Sequence, residues 1–141
     1  MFRYIRAMAY DKQSIQNSLE SVASSLTDHL IKVYLFPNSE YADHWKQEIW
    51  HILNRVPKMK QNNKFPDAKF IFNCISGYAD MAYNLMQLWM SEYDSINPER
   101  VDPEEAERWI VEYFGWLSEK LSEQGSITSH EVYNELERIG F

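Results

Sequence analysis

The chain has a single cysteine, Cys74, so no intramolecular disulfide can form. Multi-cysteine zinc and iron–sulfur centres are excluded within one chain for the same reason. Glycine is nearly as scarce: Gly77, Gly115, Gly125 and Gly140 are the only four. They are too far apart to build a phosphate-cradling loop, so the dinucleotide fingerprint and the P-loop are both missing. There is no Gly-x-Ser-x-Gly elbow for a nucleophilic serine. Arg3 and Arg6 near the start are not followed by an apolar run, which does not read as a secretory signal. A reduced, cytoplasmic setting is the expectation.

Basic charge is thin in the last third. Residues 1–91 hold ten basic and eight acidic residues, whereas residues 92–141 hold four and thirteen. An acidic region of this kind repels phosphates, so nucleic acid is not expected as a partner. The one basic cluster is Arg55, Lys58, Lys60, Lys64 and Lys69, around a loop with Pro57 and Pro66.

What the chain does contain is helical rhythm. Its 141 residues are 45% apolar and 25% charged, an ordinary globular balance, and are read as one domain, 1–141. Apolar residues recur at steps of three and four. Ile15, Leu19, Val22, Leu26, Leu30 and Val33 predict a first helix from an Asp11 N-cap to Tyr34. Tyr41, Trp45, Ile49, Ile52 and Val56 predict a second, from Glu40 to Val56. The short connection through Pro37 makes the two a hairpin.

A third helix is predicted from Asp67 to Tyr93. Its polar positions, Asn73, Ser76, Asp80, Asn84, Gln87 and Ser91, form one narrow stripe. The rest is so apolar that a central place is expected. Those polar residues would be costly in hydrocarbon, so no membrane span is expected.

The fourth helix has the clearest start. Asp102 is an N-cap, Pro103 suits the first position, and Glu104 and Glu105 complement the helix dipole. Gly125 ends it. Thr128 with Glu131 reads as a capping box for a short last helix that closes at Gly140. The expected fold is therefore all-α, an antiparallel bundle of four main helices plus a short C-terminal one. Gly77 and Gly115, both inside helices, suggest a close crossing of helices three and four.

One constellation has metal-ligand chemistry. His44, Glu48, His51 and Arg55 share a stripe of helix two, and Glu48-x-x-His51 puts a carboxylate and an imidazole on one face. His29 on helix one falls at a similar height. His29, His44, Glu48 and His51 together could hold zinc, iron or nickel. A di-iron site would need a second Glu-x-x-His, which is lacking. Cys74 has no His, Lys or Arg within a helical turn and reads as an inert thiol.

Five Trp, nine Tyr and seven Phe exceed what a small core needs. Trp50 falls outside the apolar arc of helix two. With Trp109 and Trp116 it is a candidate for an interface.

Between Leu26 and Asp80, His29-Leu30-x-Lys32, Pro37, Trp45-x-x-Glu48-Ile49, Arg55, Tyr78 and Ala79 form a spaced set. In this stretch the chain resembles the all-helical bacterial family called domain of unknown function twenty-nine. The resemblance implies a bacterial all-α protein and supplies no mechanism.

Three functional expectations follow. The first is a small regulatory or accessory protein without a cofactor, acting through a protein partner or as a homodimer. The second is a metal-dependent helical-bundle enzyme. The third is an acidic nucleic-acid mimic from a phage or mobile element, with the carboxylates of residues 99–123 lining one face.

Overall fold

A computed structural model describes residues 2–56 and 66–141, with side chains from residue 13 onward. Among the described residues every regular element is helical and no strand occurs. The helices are α1 (Phe2–Leu35), α2 (Ala42–Asn54), α3 (Ala68–Ile75), α4 (Ala82–Glu92), α5 (Pro103–Gln124) and α6 (Ser129–Ile139). A 3₁₀ segment, Ser76–Met81, joins α3 to α4.

The local stop and start signals work as their chemistry dictates. Asp67 accepts from the Phe70 amide at 2.8 Å and opens α3. Asp102 accepts from the amides of Glu104 and Glu105 at 3.0 and 3.3 Å, with Pro103 as the first residue of α5. Gly125 closes α5 with φ +70°, a conformation that costs glycine no Cβ clash. Thr128 and Glu131 make the full reciprocal capping box of α6.

Four features differ from the sequence expectation. First, α1 starts at Phe2, so Asp11 lies within a helix rather than capping one. Second, the predicted third helix is interrupted by 3₁₀ geometry at Ser76–Met81. The break falls on Ser76-Gly77, where helix propensity is lowest, and the tighter turn needs only short stretches to form. Third, Gly77 and Gly115 mark no close crossing, because a Cβ built at either meets nothing within 4 Å.

Fourth, the central helix is α1, not the segment 67–93. From Leu30 to Phe36 every residue of the chain is buried. A helix buried all round belongs in the middle, and α1 touches α2, α3, the 3₁₀ segment, α4 and α5. α4 instead leaves Tyr83 and Leu88 57% and 48% exposed.

Burying that stretch requires partners for its polar atoms. Lys32 is only 9% exposed. Its ammonium lies 3.5 Å from the Asp28 carboxylate and 3.9 Å from the centre of the Trp89 ring. The Trp89 Nε1–H donates to Asp28 at 2.6 Å, so the carboxylate is held from two sides.

The last carbonyls of α1 have no intrahelical donor. Arg100 donates to Tyr34 O at 2.7 Å, to Val33 O at 3.1 Å and to Gly140 O at 2.7 Å. The Glu99 amide takes Leu35 O at 2.8 Å. One loop residue thus ties the end of α1 to the end of the chain.

Candidate functional site

The residues singled out as metal ligands do not converge as a set. His44 Nε2 lies 3.9 Å from Glu48 Oε1, on an exposed turn of α2. His51 is exposed, its ring 5.1 Å from that of Trp50. His29 donates from Nδ1 to the Ser25 carbonyl at 2.8 Å, a bond within α1. Among the described residues no three His, Cys, Asp or Glu side chains gather as a metal ion requires. The spacing predicts a similar height for His29 and Glu48 in the hairpin, but a similar height does not fix where two helix faces point.

The three tryptophans have different settings. Trp109 is half-buried: Tyr34 and Phe141 meet it edge-on at 5.2 and 5.4 Å, and the Arg100 guanidinium lies 4.9 Å from its ring centre. A Cβ at Gly140 would come within 2.8 Å of the same indole. Trp116 is half-buried beside Tyr113, at 5.4 Å. Trp50 is half-buried too, and its Nε1–H is buried without a hydrogen-bond partner among the described residues.

The acids of residues 99–123 are partly engaged within the chain. Glu99 accepts from Asn38, Glu105 accepts from the Tyr34 hydroxyl at 2.9 Å, and Glu112 pairs with Arg138 at 3.0 Å. The Tyr34 hydroxyl is pushed up to about 12 by burial first and by Glu105 second. These pairings take charge away from any continuous acidic face.

One juxtaposition was invisible in the sequence. Asp80, the lone acid of the third helix's polar stripe, comes against Glu107 of α5. The Glu107 carboxyl is raised above the usual range, chiefly by its hydrogen bond with Asp80, then by desolvation and by the charges of Asp80 and Glu104. The folded state therefore holds a proton that the unfolded chain releases. The stability that this hydrogen bond supplies is present at low pH and disappears as pH rises through the raised value. Thermal unfolding followed from about pH 4 to 7 should show this decline, and Asp80→Asn should remove it. At so exposed a site the whole effect is roughly a few tenths of a kcal/mol.

A polar cavity lies between α1 and the end of α2. It is a groove of about 400 Å³. Ser14, Asn17, Ser18, Ser21 and Ser25 line it from α1, and Arg55 lines it from the C-cap of α2, with Val22 and Ile52 as apolar wall. Spacings of three and four put these small polar residues on one face of α1, opposite the Leu19–Leu26–Leu30 stripe. The polar spacing was readable in the sequence. That α2 ends beside this face was not.

No protein-family profile, curated protein or solved structure matches the chain.

Proposed function

We propose that this is a small non-catalytic protein that acts by binding, most simply to a second copy of itself or to another protein. The observation that carries the reading is a row of apolar side chains along α4 and the turn that leads into it. Met81, Leu85 and Leu88 follow helical spacing, and Met81 is 37% exposed and Leu88 48%. Large apolar side chains in a row at the surface mark an association face. The expected bacterial, cytoplasmic setting and the family resemblance of residues 26–80 belong to this same reading. So does an antiparallel order of the four main helical segments, supported by the tight turn from Phe36 to Ala42, where the Ser39 amide bonds Phe36 O at 3.2 Å.

Light scattering on the full chain, with and without Leu88→Glu, tests the proposal. A dimer mass that falls to the monomer in the variant is the expected result. A monomer at all concentrations, with cross-linking of the chain in cells unchanged by Leu88→Glu, would sink it.

A further inference from the structure

We propose that the α1–α2 groove binds a small hydroxylated oxyanion, with Arg55 taking the anionic group and the serine face of α1 taking the hydroxyls. The chain carries 21 acidic residues and a net charge of −7, yet none of the acids whose side chains are described lines this groove. Two other depressions on the surface each include a pair of acids, Glu104 with Glu107 and Asp43 with Glu137. An anion would be repelled there and accepted here.

Arg55 is the one arginine among the described side chains that no other described residue engages. Arg100 is held by three carbonyls, and Arg108 and Arg138 are each paired with glutamate. A guanidinium is a planar fork suited to carboxylate or phosphate, and this one stands on the groove wall with no partner among the described residues.

The hydroxyls tell a parallel story. Buried Thr27 and Ser118 donate back to Ala23 O and Phe114 O of their own helices, at 2.8 and 2.7 Å. Ser14, Ser18, Ser21 and Ser25 show no such bond among the described residues, and all four line the groove. Hydroxyls at successive turns, the Arg55 cation at one end and the C–H surface of Val22 and Ile52 match a short polyol bearing one anionic group. The volume is that of a small-molecule site. A phosphate and a carboxylate would satisfy Arg55 equally, so the shared chemistry is a hydroxylated oxyanion. The inference goes beyond partner binding and shares no residue with the α4 face.

Calorimetric titration of the full chain at constant ionic strength is the test. The probes are ribose 5-phosphate and gluconate, with ribose and inorganic phosphate as controls. Saturable binding of ribose 5-phosphate or gluconate is expected, about tenfold or more tighter than ribose, and abolished in Arg55→Gln. Whichever of the two binds more tightly identifies the oxyanion. A Ser18→Ala/Ser21→Ala variant should weaken the preferred probe while leaving inorganic phosphate unchanged. The proposal is overturned if neither probe saturates, if Arg55→Gln binds as well as the parent, or if inorganic phosphate alone binds as tightly as ribose 5-phosphate. Circular dichroism of Arg55→Gln establishes that the variant is folded; its side chain is exposed, so the fold should be unchanged.

Discussion

Arg100→Ala should destabilise the protein by about 3 kcal/mol, a large share of what holds a domain of this size together. The side chain satisfies the carbonyls of Val33 and Tyr34 at the end of the central helix, and it reaches Gly140 O as well. Its guanidinium is also 4.9 Å from the ring centres of both Tyr34 and Trp109. Truncation therefore strands buried acceptors and removes the cation from two aromatic faces together. Burial depresses the pKa of Arg100, the ordinary sign of a cation drawn out of water.

Arg100→Lys should recover less than half of the loss. A point ammonium cannot serve carbonyls of α1 and of the chain end at once, nor lie flat on a ring. Urea denaturation measures both variants, with an unchanged m-value as the sign that the denatured state is comparable. Because the acceptors are carbonyls rather than exposed carboxylates, high salt should leave the difference nearly intact. A loss that vanished in salt would mean that a surface ion pair, not this clamp, was being removed.

Leu30→Ala against Leu88→Ala is the second large contrast. Leu30 is wholly buried on α1, at the start of the run that continues to Phe36. Its truncation forfeits transfer free energy and leaves a cavity that the buried side chains around it cannot collapse to fill. The cost should be about 3–5 kcal/mol. Leu88 is nearly half exposed, so Leu88→Ala should stay within about 0.5 kcal/mol in the monomer. Were the segment 67–93 the centre of the fold, the order of these two would reverse. Equilibrium unfolding in urea, at a concentration where both proteins are monomeric, decides it.

The contrast also shows where sequence reading succeeds and fails here. Hydropathy ranked the third helix first for centrality, because it counts side chains and cannot see what covers them. α1 looked more polar, with Asp28 and Lys32 among its last turns. Those two charges are tolerated because they pair with each other and with Trp89 of α4, a residue 61 positions away from its carboxylate partner. Likewise the sequence does not show that Tyr34, Arg100 and Phe141 pack against Trp109 and leave it half-buried. The imidazoles of helix two have the right spacing for ligands and no third group to complete a site among the described residues.

Sequence alone determined the helical class and most helix ends. Asp67, Asp102, Gly125, Thr128 with Glu131, and Gly140 act through bonds to atoms a few residues away, so their effect is already present in the local chain. The apolar stripes of α1, α2 and α5 are legible for the same reason, since a helical period is a local property. Only the tertiary structure decided that α1 is the hub, that Asp80 meets Glu107, that Arg100 closes the end of α1, and that a polar groove lies beside Arg55. Each of these depends on how far one helix runs past another and which faces then meet. Those quantities are set by packing many side chains simultaneously, and no short window of residues contains them.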